Sequence, residues 1–324
     1  MAKKKAVKKK TKKVDKKKEK LHLTMQDLNK KGLKIKFAKN AEVKEKITFG
    51  IPEIDEQVTG ILAGNFHILY GAVSCAKSAT ALTMIATNQK KGKRCALIDL
   101  EHTWDADRAI TFGVDIGALV LAEDCETAED AMEITRILAK EAAIDLIVVD
   151  SIQGMSPHLQ QYKTKAKTQL REIKEDEIAS LAKKMGKFIN VTKDFIFKSK
   201  VAILLIGQGR TNIGGYGNQM ELTGGQAQKY FSLLTLYVRK GAGTDAPMAK
   251  VKEYHFDSAG KERFKTVEKP IGFNCVFKII KHKITGCAVE GTQWHVPFYF
   301  VSGFNKPVEV VEDENQPMLE MEDV

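Results

Sequence analysis

The chain has 324 residues, 43% of them hydrophobic, enough for one large domain or two ordinary ones around a sizeable core. It contains no apolar run of about 18 residues, and no apolar segment follows its basic N-terminus, so neither a membrane span nor a signal peptide is expected. The five cysteines (Cys75, Cys95, Cys125, Cys275 and Cys287) form no C-x-x-C pair and read as free thiols of a reducing compartment, which points to the cytoplasm.

The formal net charge of +11 is unevenly spread. Residues 1–46 hold 19 Lys against 5 acidic residues, whereas 307–324 hold 7 acidic residues and no Lys or Arg. The stretch between them is nearly balanced. A basic arm suits a polyanionic partner; a solubilising or targeting tail is the plain alternative.

In chain order, residues 1–20 are Lys-rich and cannot bury enough surface to offset ordering entropy, so disorder is expected. Thr24-Met-Gln-Asp27 reads as a helix start and Gly32 as its stop, followed by an alternating edge strand, Leu33–Phe37. From residue 47, apolar runs alternate with helix-length amphipathic segments. The runs are Phe66–Tyr70, Cys95–Leu100, Leu119–Ala122, Leu146–Asp150 and Val201–Gly207; the helices are 77–90, 105–112, 127–142 and 175–199. This is the rhythm of an α/β fold with a mostly parallel central sheet covered on both faces. Three strands without helices follow, Leu233–Arg239, Cys275–Lys281 and Trp294–Val301, and imply an antiparallel extension at one edge. The expected division is a basic arm over 1–46, a core over 47–305 and an acidic, mobile tail over 306–324.

Between the first run and its helix lies Gly71-Ala72-Val73-Ser74-Cys75-Ala76-Lys77-Ser78, with Ala79 following. A strand, a loop of this pattern and a helix are the context of a P-loop, whose amides and helix N-terminus hold phosphates. Lys77 would reach the outer phosphates and the Ser78 hydroxyl would ligate Mg²⁺. The usual glycine before the lysine is Ala76, and a left-handed alanine costs about 1–2 kcal/mol. A decayed loop that binds nothing is the alternative. The run Leu146-Ile-Val-Val-Asp150 ends in a carboxylate placed to hold Mg²⁺, although buried strands often end in Asp. Glu101, after Leu97-Ile-Asp99-Leu100, is the candidate to orient or deprotonate a water; a helix N-terminal carboxylate is its bland reading. Gln208 ends a third strand with a neutral amide. All these elements finish at the carboxyl edge of the sheet, where ligands of such folds bind.

An ordered set of stretches resembles the RecA recombinase family, bacteriophage members included. It comprises Ile47-Thr-Phe-Gly50 with Asp55, the loop 71–78, Ile98-Asp-Leu-Glu101-His102, Val148-Val-Asp150-Ser151, Gly207-Gln208, Thr223-Gly224-Gly225 and Lys281-His-Lys283. The resemblance implies a RecA-like P-loop NTPase core with ATP and Mg²⁺ as cofactors. It further implies single-stranded DNA and a homologous duplex as partners, and self-association into a helical filament. It makes Glu101 the catalytic glutamate and Gln208 a switch that senses the γ-phosphate. Lys77 and Ser78 become the phosphate and metal contacts, with Asp150 behind the metal. Asp105 would lie near the adenine, where Arg108 replaces a stacking aromatic residue. Lys281 and Lys283 would reach a neighbouring subunit's nucleotide; a solvated strand face is their plain reading.

A second DNA loop is implied over 209–223, with Arg210 on phosphate, Ile213 or Tyr216 between bases, and Thr223, Gly224 and Gly225 at its end. A first DNA loop after Met155 carries Lys163, Lys165, Lys167 and Arg171; an ordinary exposed basic loop is the alternative. The acidic tail would restrain duplex binding, and the 24–37 segment would pack on an adjacent subunit. The segment 241–272 is longer and more charged than in the family and receives no role. The competing functions are a RecA-fold protein that coats single-stranded DNA with little hydrolysis, and a RecA-fold regulator or motor.

Overall fold

A computed structural model describes residues 17–40, 43–141, 144–154, 178–211, 220–222, 226–242, 246–256 and 262–305. The chain divides into two units after Lys44. Among the described residues, no helix is long and apolar enough to cross a membrane.

In the N-terminal unit, helix α1 spans 17–30, seven residues earlier than the expected start at Thr24. Thr24 is interior to it: its hydroxyl donates back to the Lys20 carbonyl at 2.9 Å instead of capping. The Lys and Glu residues before it have good helix propensity, so the helix reaches into the stretch expected to be disordered; residues 1–16 lie outside the described residues. Leu33–Phe37 is not a strand. It has no ladder partner among the described residues, and its main chain is held by Asn29, whose carboxamide accepts from Ile35 N–H at 2.9 Å and donates to Ile35 O at 3.1 Å.

In the second unit, β1 (Lys46–Ile47) pairs with β2 (Ile61–Leu62) around α2 (Pro52–Val58). The strands β3 (Phe66–Gly71), β4 (Cys95–Asp99), β5 (Leu119–Ala122), β6 (Leu146–Asp150), β7 (Ala202–Thr211) and β9 (Leu234–Lys240) are parallel. β12 (Gly272–His282) runs antiparallel to β9, and β13 (Gln293–Tyr299) antiparallel to β12. The order is β13-β12-β9-β3-β7-β6-β4-β5, with β8 (Met220–Leu222) added on β7. The mostly parallel sheet and its antiparallel extension therefore stand as the sequence implied.

The strands read as unbroken apolar runs because both faces are buried. Leu69, Leu97, Val148 and Leu204 face one side, against Ala81, Met84 and Ile85 of α3 (Lys77–Lys90). Their neighbours Ile68, Ile98, Val149 and Leu205 face the other. There they meet Met132 of α5 (Ala128–Lys140) and Met185 and Ile189 of α6 (Ile178–Ser199). Period-two alternation thus sorts each strand between two cores, and each fully buried side chain contributes about 1.5–3 kcal/mol. Thr127 and Asp130 form a reciprocal capping box that starts α5.

Within the charged segment 241–272, β10 (Met248–Phe256) and β11 (Glu262–Pro270) pair as a separate antiparallel ribbon, from Met248↔Pro270 to Phe256↔Glu262. The expected loop 209–223 is shorter than the sequence implied. Its ends pair as an antiparallel ladder, Gly209↔Leu222 to Thr211↔Met220, so the Arg210 main chain belongs to β7.

Candidate nucleotide site

Four adjacent strands bring their carboxyl ends together. Gly71 of β3 pairs with Gln208 of β7, and Asp99 of β4 pairs with Asp150 of β6. The loop leaving Gly71 returns at once as α3. Gly71 is needed because a Cβ there would stand 1.9 Å from the Val238 carbonyl oxygen. Ser74 and Ala76 have positive φ, 55° and 65°, so the loop does demand the left-handed conformation that a glycine would supply freely at 76. Cys75 is buried against β9, its thiol donating to Ala72 O at 2.9 Å and Val238 O at 3.3 Å. Burial raises its pKa, which keeps it a packing group and not a nucleophile. Val73 is exposed, while Ala79 joins the core under the loop.

The Lys77 ammonium lies inside this curl, donating to Ala72 O at 2.6 Å. Ser78 lies in the first turn of α3, and its hydroxyl acts on the Asp150 carboxylate, favouring the ionised form. Asp150 is only 8% exposed. Burial lifts its pKa to about 6, with Glu101 and Asp99 adding and the Ser78 hydroxyl and Lys77 opposing. Asp99 takes the amides of Glu101 at 3.1 Å and Thr103 at 2.8 Å, which turns the chain so that Glu101 stands off the end of β4. The Ser151 hydroxyl donates to Glu101 Oε1. Gln208 Nε2 approaches the same oxygen at 3.4 Å. Lys77, Ser78, Glu101, Asp150 and Gln208 are thus gathered at one sheet edge. Among the described residues, no cluster of three His, Cys, Asp or Glu could hold a metal alone.

The remaining expected residues are dispersed. Asp105 is exposed and caps α4 (Ala106–Thr111), accepting from Arg108 N–H at 3.1 Å. The Arg108 guanidinium lies over the Phe112 ring, 5.9 Å from its centre. Lys281 of β12 is level with Thr235 of β9, which is level with Ile68 of β3. That is toward the opposite end of the parallel strands from Gly71. There the Lys281 ammonium donates to the carbonyls of Lys229 and Tyr230 in α7 (Gln226–Phe231). Burial and the neighbouring Lys283 lower its pKa. Lys163, Lys165, Lys167, Arg171, Ile213, Tyr216, Thr223, Gly224 and Gly225 lie outside the described residues.

Two contacts at this edge escaped the sequence reading. Ser151 stood within a recognised stretch but carried no role there. Gln153 bonds to the main chain of Gln208, and a lone glutamine after a strand gives no signal of that.

The model of the RecA N-terminal domain matches residues 5–286. The chain belongs to the RecA family. It is 31% identical to the RecA protein of Mycoplasma mobile over 79% of this chain and 68% of that one. It is 27% identical to the RecA of Campylobacter fetus over 92% and 79% respectively. The match to the RecA of Mesoplasma florum, at 37% identity, spans only 53% of that relative's length. Among solved structures, the RadB recombinase shares the fold at a TM-score of 0.53, with 15% identity over 79% of this chain and 97% of that one. In this RecA-family chain the loop at 71–78 carries alanine at 76.

Proposed function

We propose that this chain is an ATP-dependent DNA recombinase that forms a filament on single-stranded DNA and promotes homologous pairing and strand exchange. The observation that carries the reading is the shared oxygen of Glu101. Ser151 and Gln208 both address Oε1, at the sheet edge where Ser78 meets Asp150. Two donors on one oxygen fix the orientation of the carboxylate, which supports a role for Glu101 as general base.

The donor set fits ATP and Mg²⁺. Lys77 and the amides of 71–79 would take the phosphates, and Ser78 with Asp150 would hold the ion. Mg²⁺ would supply charge neutralisation at the phosphate oxygens. The other tasks fall to the chain itself. With Oε1 engaged, Glu101 Oε2 would accept the proton of an attacking water. Gln208 would sense the γ-phosphate without competing for that proton. Asp105 would border the adenine. Lys281 and Lys283, remote from their own loop, would serve a neighbouring subunit's nucleotide, so hydrolysis would depend on assembly. The arm before residue 45 would make that subunit contact. Lys163, Lys165, Lys167, Arg171 and Arg210 would hold DNA phosphates, with Ile213 or Tyr216 between bases.

The left-handed Ala76 favours a second reading, a protein that coats single-stranded DNA and hydrolyses ATP slowly. ATP turnover with and without single-stranded DNA separates the two. Electron microscopy with DNA and an ATP analogue should show helical filaments in both cases. Discrete rings would instead favour a RecA-fold motor and sink the recombinase reading.

A further inference from the structure

The strand β7 outruns its neighbour. Its ladder with β6 stops at Val149↔Leu205, while its ladder with β3 continues to Gly71↔Gln208. Among the described residues the ladder with β6 ends at Leu205, and the main-chain N–H and C=O of Gln208 take partners elsewhere. The Gln153 side chain supplies them. Its Oε1 accepts from Gln208 N–H at 2.7 Å, and its Nε2 donates to Gln208 O at 3.3 Å. A carboxamide carries donor and acceptor side by side, so Gln153 acts as one more residue of β6.

The placement is set by packing. Ile152 is fully buried beneath the turn, and Gly154 N–H donates to Ser151 O at 3.1 Å. A Cβ on Gly154 would stand 2.4 Å from Leu100 O, so the turn lies directly on the end of β4. Glutamine is the side chain that meets the geometry. Asparagine is one methylene shorter, glutamate lacks the donor, and methionine lacks both groups.

We infer that Gln153 is a positioning residue that fixes the main chain of Gln208 and, through it, the contact of Gln208 with Glu101. This rests on the ATPase reading above. The contact between Gln208 Nε2 and Glu101 Oε1 is 3.4 Å, at the long end for a hydrogen bond, so a small shift of the Gln208 main chain decides whether it forms. The bonds of Gln153 are to Gln208, not to the phosphate loop. Its loss should therefore reach the chemical step and leave nucleotide binding in place. Gln153 also stands just before the segment expected to form the first DNA loop, and Gln208 just before the second.

The test compares full-length wild type with Gln153→Met and Gln153→Glu. In Gln153→Met, kcat for DNA-dependent ATP hydrolysis should fall about tenfold, with affinity for a non-hydrolysable ATP analogue within about twofold. Gln153→Glu keeps the acceptor for Gln208 N–H and should lose about threefold. Hydrogen exchange of the peptide carrying the Gln208 amide should accelerate in Gln153→Met without nucleotide. Unchanged kcat and exchange in Gln153→Met overturn the inference. So does a fall in kcat matched by equal weakening of analogue binding, because that is general loss of structure. If wild type itself shows no DNA-dependent turnover, the ATPase reading fails; the exchange comparison then still decides whether Gln153 holds Gln208.

Discussion

The Ser78 hydroxyl, in the first turn of α3, pulls the pKa of the Asp150 carboxylate at the end of β6 downward. That pull is too little to offset burial, and the Asp150 pKa stands at about 6 against an ordinary 3.8. The folded chain therefore holds this proton more tightly than the unfolded chain. That contribution to stability is fully present below pH 3.8 and is lost as pH rises through about 6. At pH 7.5 the ionised group costs on the order of 2–3 kcal/mol. Asp150→Asn should accordingly melt roughly 5 °C higher than wild type at pH 7.5 without nucleotide, and the gain should vanish near pH 4. The same variant should lose magnesium-dependent ATP binding. Calorimetry at both pH values checks this. A gain that is the same at each pH would mean that desolvation of the carboxylate is not its source.

Ala76 holds a left-handed backbone, φ 65° and ψ 26°, at the N-cap of α3. Relief of about 1–2 kcal/mol on Ala76→Gly is partly cancelled by the greater chain entropy of an unfolded glycine, about 0.4–1 kcal/mol. Ala76→Gly should therefore leave the melting temperature equal or a few degrees higher, and keep or raise ATP turnover. Lys77→Ala should abolish turnover. Steady-state ATPase assays on the three proteins decide the point, and equal rates in all three would show that the phosphate site is misplaced.

The parts of this molecule legible in the sequence are those governed by local rules. Leu119–Ala122, Leu146–Asp150 and the helix 77–90 fall within their expected limits, because apolar runs and a phosphate-loop signature fix their ends. The parts that escaped depend on partners distant in sequence. Leu33–Phe37 alternates like a strand but pairs with no strand among the described residues, and Asn29 holds its main chain instead. The ribbon β10–β11 was hidden by its charge, since Lys250↔Glu268 and Glu253↔Lys265 are cross-strand pairs that look polar when read singly. Gln153 was hidden because its bonding depends on β7 outrunning β6. No window of residues around 153 carries that information.

The arm before residue 45 can be tested apart from the core. Glu45 O accepts from Ala63 N–H, and β1 begins at Lys46, so a chain starting at Glu45 retains every ladder of the second unit. It should still fold and melt as one cooperative unit, since every ladder of that unit lies at or beyond Glu45. It should fail to form filaments with DNA and an ATP analogue. Filaments that persist after this deletion would place the subunit contact elsewhere.

Lys281 offers the sharpest test of assembly. It is three residues short of Gly71 along the strand direction, about 10 Å, and two strands away, about another 10 Å. Its ammonium is also committed to the carbonyl end of α7, where a helix terminus favours a cation. It lies too far from the loop 71–78 of its own chain to touch it, so any contact with such a loop would have to be made across a subunit interface. The double variant Lys281→Ala and Lys283→Ala should lose at least about a thousandfold in DNA-dependent ATPase rate, and Glu101→Gln should be comparably inactive. A one-to-one mixture of the two should recover about a quarter of wild-type activity, because one interface in four then joins an intact Glu101 to an intact lysine pair. Activity restored on mixing means that the lysines act across the interface. A mixture as inactive as its components, in filaments shown to contain both, means that they serve some other purpose.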